Sequence, residues 1–172
     1  MKLGRFAPAR FARDHWTIFA LVAVGVGVYF WFSRVAPTPA IFDESVTIQQ
    51  ASVRAQEKGE VVLAVVTADF CPTCQGYKRS ALSDPALAQW VRGNAETVYL
   101  EWDRDKERIA ELGVRAFPAT LALDPQGEVL AMHYGPMSAT GVISMLEGAR
   151  AKAVGSSEAA HAPAAGEHKR PA

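Results

Sequence analysis

The segment that decides the fold is Val61-Val-Leu-Ala-Val-Val-Thr-Ala-Asp-Phe-Cys-Pro-Thr-Cys74. Its first six residues are apolar and mostly β-branched, which predicts a central strand that is buried on both faces. A polar stretch with helical spacing follows the cysteines to about Leu82, and Ser83-Asp-Pro85 then opens a second short helix. The two cysteines therefore stand where a buried strand passes into a helix.

Cys71 and Cys74 are the only cysteines of the chain. On the first turn of a helix, residues i and i+3 share a face at about 5 to 6 Å, which a disulfide can bridge. The unpaired N–H groups and the dipole at a helix N-terminus stabilise a thiolate on Cys71, whereas Cys74 lies one turn further in. We interpret the pair as redox-active, with Cys71 attacking and Cys74 resolving.

Other roles for the cysteines remain open. A structural disulfide over this short separation constrains little of the unfolded chain. A zinc site needs two more ligands, and His133 is the only histidine in the predicted domain. Two inert buried thiols, or a thiol pair that carries Cu(I), are the remaining alternatives. No resident metal and no cofactor is predicted.

The flanking sequence predicts an α/β domain. Helices are expected over about 46–58, 105–112 and 138–150, and strands over about 96–102, 119–123 and 129–134. Gly59 and Gly113 end the first two of these helices, and Pro125-Gln-Gly127 forms a hairpin turn. The order α-β-α-β-α-β-β-α is best buried as a mixed sheet with helices on both faces.

Length and charge limit the class of protein. The 172 residues suffice for one compact domain with appendages. Lys plus Arg and Asp plus Glu both number 18, and this balance does not favour a nucleic-acid partner.

An uncharged run from Trp16 to Ser33 predicts a transmembrane helix, because 18 residues span roughly 27 Å as a helix. Four basic residues precede the run, and the positive-inside rule then keeps the N-terminus in the cytoplasm. The expected organisation is a basic cytoplasmic segment (1–15), an uncleaved anchor (16–33), a Pro-rich linker (34–40), an exported domain (41–150) and a disordered tail (151–172). A cleaved signal peptide is the competing interpretation.

Two segments carry a family resemblance. Ala68-Asp-Phe-Cys-Pro-Thr-Cys74 and Gly113-Val-Arg-Ala-Phe-Pro-Ala-Thr120 resemble the active-site segments of the thioredoxin superfamily, most of all membrane-tethered thioredoxin-like proteins and the C-terminal thioredoxin-like domain of DsbD. The resemblance implies a thioredoxin fold over roughly 42–150. It also implies that Pro118 is a cis-proline facing the cysteines, and that the Phe117 backbone pairs with a substrate strand.

The sequence departs from the family at two positions. Phe70 replaces the tryptophan that usually precedes the first cysteine, so that the apolar wall is kept. Val65 occupies the position of a buried acid that accepts the proton of the second thiol, and its absence should slow resolution unless water, Asp69 or Glu101 substitutes. Asp69, Glu101 and Lys78 are otherwise interpreted as ordinary surface charges.

These observations predict a membrane-anchored thiol:disulfide oxidoreductase in the periplasm, at the inner membrane of a bacterium. Its expected partners are disulfide-containing proteins and a membrane-bound electron donor. The Pro72-Thr73 dipeptide leaves the direction of electron flow open, and the resemblance favours a reductase. The alternative is a non-catalytic peptide-binding module in which the cysteines are vestigial.

Overall fold

The computed structural model describes residues 11–161, with side chains for 16–30 and 34–154. It divides into two units at Val35 and Ala36. Residues 1–10, which carry most of the predicted basic segment, lie outside the described part, and so do residues 162–172 of the predicted tail.

The first unit contains one helix, α1 (Phe11–Ser33), which includes the whole of the predicted anchor, residues 16–33. Large apolar side chains on it are exposed, among them Trp16, Phe19 and Leu21. Among residues 11–161, no helix combines the length and hydropathy that a membrane span requires.

The second unit is built on a four-stranded mixed sheet. Its strands are β1 (Val61–Thr67), β2 (Ala95–Glu101), β3 (Ala119–Leu123) and β4 (Val129–Tyr134). They lie in the order β2-β1-β3-β4, with β2 parallel to β1 and the other neighbours antiparallel. Every residue of β1 and β3 is buried, as the apolar runs predict, whereas β4 forms a half-exposed edge.

Helices cover both faces of the sheet. They are α2 (Ile48–Lys58), α3 (Pro72–Arg79), α4 (Pro85–Val91), α5 (Trp102–Glu111) and α6 (Ala139–His161), with a single 3-10 turn (Ala81–Ser83) between α3 and α4. One core lies under α3, α4 and α6 and includes Val65 and Tyr77. The other lies under α2 and α5 and includes Val66 and Ile109. Alternate residues of β1 therefore point into different cores, as the pleat of a strand requires.

Local signals end α2 and α5 close to where they were predicted to end. Thr47 and Gln50 form a capping box at the start of α2, and Gly59 closes that helix in the left-handed region at φ 68°. Gly113, at φ 71°, follows α5 in the same conformation. These positions favour glycine because a Cβ is strained there.

Three boundaries differ from the prediction. Strand β2 ends at Glu101, and α5 begins directly at Trp102, where the Asp105 carboxylate accepts the Glu101 backbone N–H at 2.8 Å. The helix is kinked at Asp105, whose backbone is non-helical. The final helix continues past the predicted end at Arg150 to His161. From Ala36 onward the Pro-rich linker is part of the domain, where Ala36 and Pro39 are buried and the Ala36 N–H donates to Gln75 Oε1 at 2.5 Å.

Candidate active site

Cys71 and Cys74 form a disulfide at the junction of β1 and α3, with their Cα atoms 5.2 Å apart. Cys71 is the N-cap of α3 in an extended conformation, and Pro72 occupies the first helical position. The Cys71 sulfur accepts the Cys74 backbone N–H at 3.2 Å. The predicted placement of the pair at the end of a buried strand is confirmed.

The two sulfur-bearing residues differ in exposure. Cys74 is fully buried, whereas Cys71 is partly exposed. Phe70, directly before Cys71 in the chain, is 67% exposed, so that its apolar side chain is open to solvent. The geometry therefore offers one accessible sulfur at the surface and one protected sulfur a turn further into the helix.

Pro118 lies at the same end of the sheet as the disulfide. The peptide bond between Phe117 and Pro118 is cis, as the resemblance implies. Strand β3 begins at Ala119, which pairs with Val66 near the end of β1. Because β1 and β3 are antiparallel, the start of β3 and the end of β1 lie at the same end of the sheet. Phe117 is partly buried and packs against Trp102, with ring centroids 5.1 Å apart.

Val65 is fully buried on the sheet face that α3 covers, opposite Tyr99 on β2 and Thr120 on β3. The Tyr77 hydroxyl meets the Thr120 hydroxyl at 2.9 Å beside it. Burial raises the pKa of Tyr77, more than this hydrogen bond lowers it. Neutral hydroxyl groups thus lie around Val65, and the Val65 side chain itself cannot accept a proton.

The prediction that Lys78 is an ordinary surface charge is wrong, because its side chain is only 2% exposed. Its ammonium contacts the Asp69 carboxylate at 3.0 Å and lies 5.4 Å from the centre of the Tyr99 ring. The Thr67 hydroxyl meets the Tyr99 hydroxyl at 2.6 Å and donates to Glu101 at 2.8 Å. Glu101 also accepts the Asp69 backbone N–H at 2.7 Å, which closes the ring. We call these five residues the Lys78 cluster.

The charge of Lys78 is held by its neighbours. Burial, the largest single influence, lowers the pKa of Lys78, but the hydrogen bonds and charge interactions with Tyr99 and Asp69 outweigh it and make the net shift upward. Lys78 is therefore an ammonium at neutral pH although it is buried. Asp69 is half-exposed and Glu101 is partly exposed, so that the anionic side of the cluster reaches solvent.

Sequence reasoning singled out Asp69, Glu101 and Lys78 separately but missed that they belong to one cluster. A signal was available, because Lys78 follows Cys74 by four residues and so shares its face of α3. Within residues 11–161, no group of three or more His, Cys, Asp or Glu residues is placed to hold a metal ion.

Comparison with known proteins agrees with this geometry. Residues 48–150 match the family described as Thioredoxin-like domain. No curated protein matches the chain. Among solved structures, a thioredoxin from Thermus thermophilus is 19% identical, with a TM-score of 0.57 over 70% of this chain and 94% of its own.

Two other structures are similar in fold. The DsbH oxidoreductase is 12% identical, with a TM-score of 0.54 over 88% of this chain and 94% of its own. A poplar thioredoxin h is 17% identical, with a TM-score of 0.51 over 62% of this chain and 94% of its own. The paired cysteines, the cis-proline and the matched residues together show that this chain belongs to the thioredoxin-like family.

Proposed function

We propose that this protein is a membrane-anchored thiol:disulfide oxidoreductase that reduces protein disulfides outside the cytoplasm. The observation that carries the proposal is the Cys71–Cys74 disulfide, which has one partly exposed and one buried cysteine at the N-terminus of α3. This arrangement is consistent with thiol–disulfide exchange.

The proposed reaction begins with the reduced protein. The Cys71 thiolate attacks a substrate disulfide, which forms a mixed disulfide and releases one substrate thiolate. The Cys74 thiol then loses its proton to a base and attacks the Cys71 sulfur. This second attack forms the Cys71–Cys74 bond and releases the second substrate thiolate. Two electrons pass to the substrate, and a donor must return them before the next cycle.

The roles of the two cysteines follow from their exposure. Cys71 is partly exposed and caps the helix, where unpaired N–H groups and the helix dipole favour a thiolate. Cys74 is buried, so that a substrate sulfur reaches it only after Cys71 has been engaged. We therefore assign attack to Cys71 and resolution to Cys74.

The substrate is proposed to bind beside the disulfide as an extended segment. Phe117 and Pro118 lie at the edge where β3 begins, and the Phe117 backbone is the proposed partner for the substrate's main chain. The exposed Phe70 ring supplies apolar contact on the side of the cysteines. These features suit a protein disulfide in an extended strand.

A trapping experiment tests the enzyme. Cys74→Ala should accumulate covalent adducts with disulfide proteins, because the mixed disulfide can no longer be resolved. Adding Cys71→Ala is the matched control and should abolish the adducts. Equal adduct formation by the double variant, or none by Cys74→Ala, would contradict the assignment.

The equilibrium of the Cys71–Cys74 couple with glutathione tests the direction of electron flow. Potentials of thioredoxin and DsbA differ by about 150 mV, which corresponds to roughly 7 kcal/mol for two electrons. A couple near the thioredoxin end supports a reductase that depends on a membrane-bound donor. A couple near the DsbA end would make the protein an oxidant instead.

Anchoring and location are supported by the sequence of the first unit. An uncharged run of 18 residues from Trp16 to Ser33 follows a basic segment, and this asymmetry favours a cytoplasmic N-terminus and a periplasmic domain in a bacterial inner membrane. Reporter fusions after Arg150 should be active only in the periplasm. Recovery of the full chain in the soluble fraction after cell lysis would contradict the anchor.

A second candidate function is a peptide-binding module with vestigial cysteines. The specific observation in its favour is Val65, an alkyl side chain where a proton acceptor is expected. In the trapping experiment, the module predicts that the Cys71→Ala, Cys74→Ala double variant still retains its partners without covalent bonds. Loss of all partners from the double variant contradicts the module.

A further inference from the structure

The buried charge of Lys78 is not used by the reaction as proposed above. Lysine is among the residues that are almost never fully buried without a partner, because desolvation of an ammonium is costly. Lys78 nevertheless lies on the buried face of α3, one helical turn after Cys74. A charge kept in this position calls for a physical role.

Hydrogen-bond directions in the Lys78 cluster show how the ammonium is held. A carboxylate only accepts hydrogen bonds, so that the Thr67 hydroxyl must donate to Glu101. The Tyr99 hydroxyl therefore donates to Thr67. The Asp69 carboxylate accepts from the Lys78 ammonium at 3.0 Å, and the ammonium lies 5.4 Å from the centre of the Tyr99 ring. The ammonium is thus held by the Asp69 carboxylate and the neighbouring Tyr99 side chain, whose interaction raises the pKa of Lys78.

These contacts direct the Lys78 side chain toward the segment that precedes Cys71. Side chains on a helix lean toward its N-terminus, and residues i and i+4 are neighbours on one face. The partner Asp69 is two residues before Cys71, and its backbone carbonyl accepts from the Gln75 side chain at 3.0 Å. The Lys78 side chain therefore runs back along the turn that holds Cys74, toward the loop that carries Cys71.

We propose that Lys78 is a positioning residue for the dithiol, whose buried ammonium stabilises the Cys74 thiolate in place of the proton acceptor that Val65 cannot supply. This inference rests on the proposed function. An opposite charge favours the ionised form of a neighbouring thiol, and the attacking species is the thiolate.

The resolving step then balances without a buried acid. The Cys74 thiol gives its proton to water, and the resulting thiolate is held beside the Lys78 ammonium. It attacks the Cys71 sulfur of the mixed disulfide, the Cys71–substrate bond breaks, and the departing substrate thiolate takes a proton from water. Lys78 keeps its three protons throughout and changes only the population of the attacking form.

The test is the ionisation of Cys74 in a protein that has no other thiol. In a Cys71→Ala background, the ultraviolet absorbance of the thiolate is followed against pH. The titratable groups around the ammonium are Asp69 from the loop after β1, Tyr99 and Glu101 from β2, and Tyr77 on α3. Parallel titrations before and after alkylation of Cys74 separate the thiol signal from the tyrosines.

In the Cys71→Ala background, Lys78→Met is expected to raise the midpoint of Cys74 ionisation by about one pH unit. In the protein with both cysteines, Lys78→Met should slow the resolution of a mixed disulfide about tenfold at neutral pH. Lys58→Met is the matched control, since Lys58 is exposed and pairs with Glu96 at the far end of β2. It should leave the midpoint unchanged. The proposal is overturned when Lys78→Met leaves the midpoint where it was, or when Lys58→Met moves it equally.

Lys78→Gln covers the case in which Lys78→Met fails to fold. The glutamine amide keeps a hydrogen-bond donor for Asp69 and removes the charge. The midpoint should again rise by about one pH unit, and an unchanged midpoint would contradict the proposal. The titrations need no substrate. A protein that never traps partners but shows these shifts would refute the enzyme while keeping the role of Lys78.

Discussion

Tyr77 and Tyr99 allow the Lys78 cluster to be tested by one substitution at two sites. Both side chains are buried in the core that includes Val65, and each hydroxyl meets a threonine hydroxyl. The difference is that Tyr99 also lies beside the buried Lys78 ammonium, 5.4 Å from its ring centre, and raises the pKa of Lys78, whereas Tyr77 contacts the neutral Thr120. Changing either tyrosine to phenylalanine removes one oxygen and leaves the ring in place.

The magnitudes follow from the partners that are left behind. A hydrogen bond between neutral groups contributes about 1 kcal/mol to folding, and one to a charged group about 1.5 to 3 kcal/mol. Tyr77→Phe should therefore lower the free energy of unfolding by about 1 kcal/mol, and Tyr99→Phe by about 2 to 3 kcal/mol. At roughly 4 °C per kcal/mol for a domain of this size, Tyr99→Phe should also lower the melting temperature by some 4 to 8 °C more.

Urea and thermal unfolding of the oxidised protein measure both losses. The disulfide is kept intact in every sample, so that the unfolded states share the same cross-link. Equal losses for the two variants, or a larger loss for Tyr77→Phe, would refute the conclusion that Tyr99 supports a buried charge. If the extra loss of Tyr99→Phe over Tyr77→Phe disappears in a Lys78→Met background, the coupling between Tyr99 and Lys78 is confirmed.

Three further predictions concern stability. The folded-state pKa of Lys78 lies above its ordinary value of 10.5, so that the ammonium's contribution to stability is complete below pH 10.5 and is lost as the pH rises through the folded value. The free energy of unfolding should therefore fall more steeply at alkaline pH for the wild type than for Lys78→Met. Thr47→Ala removes the capping box and should cost about 1 kcal/mol in urea unfolding, with the glutathione equilibrium unchanged. Leu146→Ala empties a fully buried site in α6 and should cost about 2 to 5 kcal/mol, whereas Val53→Ala on the exposed face of α2 should stay within about 0.5 kcal/mol.

Much of the fold could be predicted because its signals are local. A continuous apolar run identified β1 as a central strand, and glycines that adopt positive φ ended α2 and marked the end of α5. The burial of a strand, and the ability of a glycine to adopt positive φ because it lacks a Cβ, both depend on the residue and its immediate neighbours. The position of the cysteines at the end of β1, and of Pro118 at the start of β3, followed from the same local patterns and from the family resemblance.

The tertiary structure decided what depends on residues far apart in the chain. From the sequence alone, Lys78 resembles a surface residue, and only the fold places Tyr99 of β2 beside it. In the same way, only the fold places Glu101 where it accepts from the Thr67 hydroxyl. Likewise, the Pro-rich linker looks like a separate spacer until Gln75 accepts the Ala36 N–H. Apolar periodicity reports which face of an element is buried. Whether a polar group can be buried on that face depends on partners that only the folded chain brings within hydrogen-bonding distance.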